Sequence, residues 1–369
     1  MINNHKQNNK NALQNRVNHG DRMKVIIRAD ANSYIGQGHV MRCLSICDAF
    51  KDKGHECLFV CAKDTHMELI MNRGYDVYYL TTSYDRMDDE LALLEQIIAE
   101  EKADLLIIDS YYVSVKYLQS VKELIKTVYI DDVYSFAYNV DCLVNYNVYA
   151  DEEKYKEMYV TEKVKTPEMI IGPSYAPLRK EFAEKNLREI NEIKNIMISV
   201  GGADPLHLAY GFALKFSEDE FFKDKNINMI LGKMEPDIDK IKDICEATKN
   251  INYFVNVTDM KEKIEEADIV ISAAGSTQYE ICACGKPCIC FSMADNQVPG
   301  GEKFGELGAF IYAGDVRFNE SFFYDIINAV KRIAADPALA KEMSRKASEI
   351  ADGHGAERIV KELENIFGR

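Results

Sequence analysis

The sequence lacks several features that would assign a chain to a structural class at once. Proline is scarce, with 8 residues in 369, and glycine contributes only 20, which excludes a collagen-like or low-complexity chain. No stretch approaches the roughly 18 consecutive apolar residues of a membrane-spanning helix. What is present is a hydrophobic fraction of 47%, enough for the cores of two domains.

Basic residues are also in deficit. Lysine and arginine total 45 against 60 aspartates and glutamates, which gives a formal net charge of −15. A chain this acidic has no overall attraction for nucleic acid or for an anionic membrane surface. We therefore expect neither as a partner, and an anionic ligand would have to be bound by a local device.

The first 22 residues are rich in asparagine and carry no apolar core of the kind found in a secretory signal. We predict a flexible extension over residues 1–22 and a cytoplasmic protein, whose ten cysteines are reduced thiols. Cys282, Cys284, Cys288 and Cys290 form a cluster without the CxxC pairs of a zinc site. This spacing favours packing over the alternative of a bound metal.

Short apolar runs rich in valine, isoleucine and tyrosine alternate with amphipathic stretches along the chain. This alternation is typical of a parallel sheet covered by helices on both faces. We predict strands at 25–29, 57–61, 77–80, 105–109, 128–131 and 143–145, and then at 196–200, 229–231, 253–255, 269–272, 288–291 and 310–312. We predict helices at 40–53, 88–101, 205–216, 237–249, 277–285 and 322–334.

This pattern predicts two doubly wound α/β domains, over residues 23–175 and 195–369. The charged stretch 176–194 has a helical pattern and no strand, so we take it as the linker. The last predicted helix, 356–367, could pack on either domain and is assigned to the second. In such folds ligands bind beyond the carboxyl ends of the strands, and the cleft between two domains is the expected site.

The loop after the first strand carries one candidate site. Gly36 and Gly38 begin a dinucleotide-binding fingerprint, but Met41 stands where the third glycine belongs, so NAD binding is not expected. His39 falls near the N-terminus of the next helix, where the helix dipole favours the neutral ring. His39 is therefore a candidate to activate water, the alternative being a surface or capping histidine. Arg42 lies one turn further on, on the same face.

Two further strand-to-helix turns are rich in small residues. Gly201 and Gly202 would let the backbone approach a phosphate closely, and without a Walker A lysine ATP hydrolysis is not expected. The second of these strand-to-helix turns would supply amides and hydroxyls for an anion from Gly275, Ser276 and Thr277. Glu280, about four residues into the helix that follows, could accept hydrogen bonds from ribose hydroxyls. The alternative for each of the two turns is that it only connects a strand to a helix and binds no ligand. The alternative for Glu280 is a helix residue that faces solvent.

Polar residues follow other strands as well. Asn296 and Gln297 come after the strand at 288–291, in a position that commonly faces ligand. Asp109, at the end of the strand at 105–109, and the adjacent pair Asp131 and Asp132 are carboxylates that could bind Mg²⁺ or act as acid and base. Because neighbouring side chains alternate in direction, only one of the two need face a ligand, and a structural role for the pair is favoured.

Together these segments resemble one family closely, the hydrolases that cleave UDP-2,4-diacetamido-2,4,6-trideoxy-β-L-altropyranose in pseudaminic acid biosynthesis. The family lies in the two-domain GT-B superfamily, which includes the MurG-type glycosyltransferases. The resemblance covers most of residues 23–315. It depends on the order of the segments RADANSYIGQGHVMRC, IIDSYY, IDD, MIIGPSYAPLRKEF, ISVGGADP, ISAAGSTQYEICACGKPC and ADNQ. The implied fold is α/β and GT-B-like, with two Rossmann-like domains and the substrate in the cleft between them.

The resemblance implies that water attacks the anomeric carbon and releases UDP, with inversion and without a metal or other cofactor. His39 would be the catalytic base. Within the matched segments we predict substrate contacts from Arg28, Asp30, Gly38, Arg42, Tyr111, Arg179, Asn296 and Gln297. We predict UDP contacts from Gly201, Gly202, Gly275, Ser276, Thr277 and Glu280.

Two departures from the family pattern border the sugar site. Ser110 stands where the family often has histidine, and residues 145–147 are Asn-Tyr-Asn where many members have Asp-Gln-Asn. The exact sugar is therefore left open. The alternative function is that of a GT-B glycosyltransferase or the related spore-coat polysaccharide protein, which would use a sugar or lipid acceptor instead of water. A non-catalytic nucleotide-sugar sensor is disfavoured, because it would leave His39 without a role.

Overall fold

The computed structural model describes residues 4–5, 22–32, 34–186, 188–202, 204–233 and 235–368. The chain forms two compact units, one of Met1–Lys180 with His354–Arg369 and the other of Glu181–Gly353. Each unit contains a mainly parallel sheet whose strands alternate with helices, so the predicted α/β class with two Rossmann-like domains is confirmed. No helix in the described part of the chain is long and apolar enough to cross a membrane.

Eight strands form the sheet of the first unit: β1 (Asn4–His5), β2 (Lys24–Ala29), β3 (Glu56–Cys61), β4 (Asp76–Tyr79), β5 (Leu105–Asp109), β6 (Lys126–Ile130), β7 (Cys142–Asn145) and β8 (Glu168–Ile171). Their order across the sheet is β1-β4-β3-β2-β5-β6-β7-β8. β1 runs antiparallel to β4, and the other neighbours pair in parallel. β2 and β5 lie side by side in the middle and are buried almost throughout, as continuous apolar runs predict.

The helices between these strands are α1 (Gly38–Asp52), α2 (Glu68–Asn72), α3 (Leu91–Glu101), α4 (Val115–Lys122) and α5 (Glu152–Glu162). α4 begins at a serine cap, since the Ser114 hydroxyl accepts from the Tyr117 amide. α5 begins in the same way at Asp151. Both caps are local sequence signals that fix where a helix starts after a strand.

The second unit has six parallel strands: β9 (Asn195–Ser199), β10 (Asn226–Leu231), β11 (Ile251–Val255), β12 (Ile269–Ala273), β13 (Cys288–Ser292) and β14 (Phe310–Asp315). They lie in the order β11-β10-β9-β12-β13-β14, which is the order of the doubly wound nucleotide-binding fold. The helices are α6 (Leu208–Glu218), α7 (Ile238–Ala247), α8 (Met260–Glu266), α9 (Thr277–Ala283), α10 (Val298–Glu306), α11 (Phe322–Ala335) and α12 (Pro337–Ile350).

The last helix, α13 (Gly355–Phe367), belongs to the first unit, which corrects its assignment to a second domain of residues 195–369. Its buried face packs against α1. Glu364 on this helix accepts from His55 Nε2 at 2.9 Å and pairs with Lys53. An amphipathic pattern shows that a helix has an apolar face but not which element covers that face. The buried residues of α13 include Ala356, Ile359, Val360 and Leu363.

All twelve predicted strands are present, whereas β1 and β8 were not predicted. The boundary between the two units, at Lys180 and Glu181, falls inside the predicted linker 176–194, but the helical pattern expected there was wrong. The described part of that stretch holds only a 3₁₀ turn at Lys180–Ala183. Charged side chains with good helical propensity do not make a helix by themselves, because most helical stability in proteins comes from packing an apolar face. The predicted extension at 1–22 falls mostly outside the described residues, apart from Asn4–His5 in β1 and Arg22.

The four clustered cysteines are buried free thiols. Burial raises the pKa of Cys284 and that of Cys290 to about 12, so both stay protonated at neutral pH. Within the described ranges, no group of three histidine, cysteine, aspartate or glutamate side chains is arranged to hold a metal ion. The thiols act in the structure as small packing side chains.

Candidate active site

His39 is the second residue of α1, directly after the loop that follows β2. The loop is closed by Asn32, whose Oδ1 accepts from the amides of Tyr34 at 2.9 Å and Ile35 at 3.0 Å. Gly36 follows with φ of +75°, a conformation that favours glycine. This turn places the His39 imidazole, 6% exposed, beside the carboxyl end of the central strands.

Asp109, the last residue of β5, holds the His39 ring. Its strand lies next to β2, with Ala29 opposite Asp109 in the register. His39 Nδ1 lies 2.6 Å from Asp109 Oδ1. Arg42 Nη2 lies 3.1 Å from the same Nδ1 and can only donate, whereas a carboxylate can only accept. The shorter contact to the ionised Asp109 decides the tautomer: the proton of the neutral ring is on Nδ1 and the lone pair is on Nε2, and the Arg42 contact is then not a hydrogen bond. No described residue makes a hydrogen bond to Nε2.

Arg42, one turn after His39, binds the same carboxylate with two nitrogens. Its Nε lies 2.5 Å from Asp109 Oδ2 and its Nη2 2.5 Å from Asp109 Oδ1. Burial alone would raise the pKa of Asp109, but the charge of Arg42 and the hydrogen bonds from Arg42 and His39 outweigh burial and hold that pKa well below its usual range. Asp109 is therefore ionised at neutral pH and fixes both neighbours in place.

Tyr111 and Asp132 complete this cluster. The Tyr111 ring meets His39 edge-on, with the ring centroids 4.6 Å apart, and its hydroxyl donates to Asp132 Oδ2 at 3.1 Å. Burial and the neighbouring Asp132 raise the pKa of Tyr111, which keeps the phenol protonated. Arg42 Nη1 donates to Asp132 at 3.0 Å and to the Tyr146 hydroxyl at 2.9 Å. Tyr111 is 42% exposed, so the cluster is open to solvent on this side.

Arg28 and Asp30 do not present free polar atoms to a ligand, which corrects their prediction as substrate contacts. Arg28 is fully buried and donates to Glu90 at 2.6 Å and to Asp30 at 2.5 Å. Asp30 also accepts from the Ala62 amide at 2.7 Å and the Thr65 hydroxyl at 2.6 Å. The hydrogen bonds of these two residues join the loop after β2 to the loop after β3 inside the unit.

The remaining sugar-side predictions have simpler positions. Gly38 is exposed at the first position of α1, next to His39. Arg179 is half-buried in the extended segment that follows β8, within the first unit. The structure therefore brings Arg42 and Tyr111 into contact with His39, whereas the substrate roles of Gly38 and Arg179 stay predictions.

In the second unit, Gly201 and Gly202 follow β9 and are exposed. Gly201 has φ of +101°, and a side chain at either position would meet open space. The loop after β10 packs behind them, because a Cβ on Gly232 would lie 2.1 Å from the Gly202 carbonyl oxygen. The predicted helix start at residue 205 was wrong: α6 begins at Leu208, although Asp204 still accepts from an amide of its first turn.

The second small-residue turn follows β12, the neighbour of β9. Gly275 and Ser276 are exposed, and α9 begins at Thr277. The Gly275 amide donates to the Ala273 carbonyl at 2.8 Å, so this amide is already used, which corrects its prediction as an anion donor. Glu280 is half-buried one turn into α9.

Asn296 and Gln297 lie in a 3₁₀ turn after β13, which pairs with β12. Gln297 Oε1 accepts from the Met293 amide at 2.8 Å and so shapes the turn. Asn296 is exposed, and no described residue makes a hydrogen bond to its side chain. The carboxyl ends of β9, β12 and β13 thus gather the UDP-side predictions and Asn296 along one edge of the sheet.

Sequence reasoning missed how closely carboxylates control His39. It considered Asp109 only as a general acid, base or metal ligand, and it gave no role to Tyr146 or to Glu90. A signal was present: Asp109 ends the strand that a doubly wound order places next to the strand before His39. The orientation of the ring could not be obtained in this way, because it depends on a contact across 70 residues of chain.

The two Rossmann-like units define a protein of the GT-B class. The solved structure of MurG from Acinetobacter baumannii matches with a TM-score of 0.66, covering 93% of this chain and 99% of that chain at 14% identity. Residues 195–363 match the family model described as the glycosyltransferase family 28 C-terminal domain. The predicted GT-B-like fold is confirmed.

The chain is similar to the UDP-2,4-diacetamido-2,4,6-trideoxy-β-L-altropyranose hydrolase of Campylobacter jejuni. The two are 29% identical over 260 residues, which cover 70% of this chain and 87% of that protein. The chain is also similar to a spore coat polysaccharide biosynthesis protein of Bacillus subtilis, 23% identical over 355 residues, or 94% of this chain and 99% of that one. The resemblance inferred from the motifs is confirmed, and the comparisons support an enzyme with a glycosyltransferase-like fold.

Proposed function

We propose that the protein is a nucleotide-sugar hydrolase that releases UDP from UDP-2,4-diacetamido-2,4,6-trideoxy-β-L-altropyranose, as a step of pseudaminic acid biosynthesis. The substrate is taken from the similarity to the Campylobacter jejuni hydrolase. In this proposal the first unit acts on the sugar and the second unit binds the UDP.

The state of the His39 ring carries the proposal. Nδ1 is held by Asp109 at 2.6 Å, which leaves the Nε2 lone pair without a hydrogen-bond partner among the described residues. A neutral imidazole fixed in this tautomer can act as a general base through Nε2, while Asp109 holds the ring at Nδ1. His39 is 6% exposed, so its ring is largely shielded from bulk solvent.

The reaction follows from that geometry. Nε2 of His39 takes a proton from water, and the water oxygen forms a bond to the anomeric carbon. The bond between that carbon and the UDP oxygen breaks, and its electron pair leaves with UDP. Attack opposite the leaving group inverts the anomeric carbon, and the proton on His39 is later lost to solvent. Asp109 keeps the ring oriented throughout.

We assign UDP to the exposed turns of the second unit, which lie within the matched range 195–363 of the glycosyltransferase family 28 C-terminal domain. Gly201 and Gly202 leave open space for a phosphate, and Ser276 and Thr277 are the donors of the neighbouring turn. Glu280 is assigned to the ribose hydroxyls. Asn296, exposed at the same sheet edge, and Gln297 are assigned to the sugar and phosphate.

The test is UDP release from the named substrate, with a chelator present and no acceptor added. We expect UDP and free sugar in equal amounts. His39→Ala should lower kcat by roughly 10²–10⁴-fold and leave the Kd for UDP near the wild-type value. Full activity of His39→Ala would show that another group is the base.

A GT-B glycosyltransferase is the second candidate, favoured by the match of residues 195–363 to the glycosyltransferase family 28 C-terminal domain. A transferase would bind UDP but release it from the donor only after a sugar or lipid acceptor is added. Tight UDP binding without release in the acceptor-free assay would therefore support this candidate, or a different nucleotide sugar, over the hydrolase.

A further inference from the structure

We infer that Asp132 is a positioning residue of this reaction, whose charge stabilises the proton that His39 takes from water. The inference rests on the proposed function, because it gives Asp132 a part in that reaction alone. It starts from a difference between two adjacent carboxylates that the sequence does not distinguish.

Asp131 and Asp132 follow β6 with their side chains in opposite surroundings. Asp131 is buried in the unit, where the Tyr138 hydroxyl donates to it at 2.9 Å and the Tyr155 hydroxyl donates to its second oxygen. Its side chain also accepts from backbone amides of the next turn. Asp131 is therefore a fold residue, and Asp132 is the carboxylate that faces the His39 cluster.

The hydrogen bonds of the Asp132 side chain come from Arg42 and Tyr111 of the His39 cluster, and not from the backbone of its own turn. Its Oδ2 accepts from Arg42 at 3.0 Å and from Tyr111 at 3.1 Å, while its Oδ1 is buried and has no hydrogen-bond partner among the described residues. A buried carboxylate oxygen without a partner is unfavourable and calls for a reason. The local chain is held instead by the Asp132 carbonyl, which accepts from the Tyr149 hydroxyl at 2.9 Å.

The charges of the cluster supply that reason. With His39 neutral, the cluster holds two carboxylates, Asp109 and Asp132, and one cation, Arg42, so its net charge is negative. When His39 takes a proton, the cluster becomes neutral. None of the four side chains is more than 14% exposed, so their interactions are weakly screened by solvent. Without Asp132, one carboxylate would have to serve two cations.

The test compares variants that separate charge from shape. Asp132→Asn keeps the size and an acceptor oxygen but removes the charge. We expect kcat for UDP release to fall about tenfold while KM and the Kd for UDP stay unchanged. Asp132→Glu restores the charge and should recover part of the loss. Glu123→Gln, which removes an exposed carboxylate at the far end of the same unit, is the matched control and should match wild type.

A second measurement separates this role from simple support of the ring. The ¹⁵N chemical shifts of His39 in the free protein report which nitrogen carries the proton. Asp132→Asn should leave the proton on Nδ1, because Asp109 still accepts it, even though kcat falls. A change of tautomer in Asp132→Asn would mean that Asp132 acts on the resting ring, and it would overturn the inference.

The outcomes also separate the inference from the proposed function. If His39→Ala keeps wild-type release, the hydrolase mechanism fails whatever Asp132 does. If His39→Ala is inactive but Asp132→Asn keeps its kcat, or loses affinity with kcat intact, only the inference fails. An Asp132→Asn protein that does not fold would assign the side chain to the fold and overturn the inference as well.

Discussion

His39 and Asp109 form a pair in which the aspartate decides the tautomer of the histidine. The Nδ1 to Oδ1 distance is 2.6 Å, and Arg42 grips the same carboxylate with two nitrogens at 2.5 Å. The guanidinium keeps the carboxylate ionised and prevents it from rotating. The base proposed for the reaction is therefore a unit of three side chains, of which only the histidine has a free site for a proton.

Asp109→Asn should abolish most activity without removing His39. The asparagine amide would donate to Nδ1, which moves the ring proton to Nε2 and leaves no lone pair toward water. We expect kcat to fall roughly 10²–10⁴-fold, with UDP affinity unchanged. UDP release measures the rate, and the ¹⁵N shifts of His39 should show the altered tautomer. Wild-type kcat in this variant would contradict the assigned role.

Arg28→Met should destabilise the first unit and leave substrate affinity alone. The substitution would leave the buried carboxylates of Glu90 and Asp30 without their cation. Breaking a buried ion pair in this way costs about 3–5 kcal/mol of unfolding free energy. Urea unfolding measures the loss, and KM is compared at a temperature where the variant is folded. Arg86→Met, which breaks an exposed ion pair with Asp89, is the control and should change little. A raised KM with normal stability would restore Arg28 as a substrate contact.

Much of the fold could be predicted from the sequence because its signals are local. The continuous apolar runs gave the strands, and the position of His39 at the start of a helix followed from the glycines before it. The partners of side chains could not be predicted in this way. Arg28 looked like a ligand contact until Glu90, 62 residues away, was found against it. The helix α13 showed an apolar face but gave no sign that α1 covers it.

The glycine turn after β9 allows affinity to be separated from stability. Gly202→Ala adds a methyl group into open space, so we expect normal stability but at least tenfold weaker UDP binding if a phosphate approaches there. Gly232→Ala instead drives a Cβ into the Gly202 carbonyl and should lower stability as well. Titration calorimetry with UDP and thermal unfolding measure the two effects. Unchanged UDP affinity in Gly202→Ala would remove this turn from the proposed phosphate site.

The Asp109 carboxylate should also contribute stability that is lost in acid. The pKa of Asp109 in the folded chain is held below its usual range, because Arg42 and His39 outweigh burial. The contribution is therefore complete above the unfolded-state pKa of about 3.9 and is lost as the pH falls from there toward the folded-state pKa.

Urea unfolding of wild type and of Asp109→Asn measures this contribution as the difference between their free energies of unfolding. We expect that difference to be constant from pH 7 to about 5. Below about pH 4 the difference should narrow by up to about 1.4 kcal/mol per pH unit. Asp85→Asn, which removes an exposed carboxylate without an ion pair among the described residues, controls for the loss of one charge. A difference that grows in acid would reverse the sign of the argument and show that the folded chain holds this carboxyl protonated.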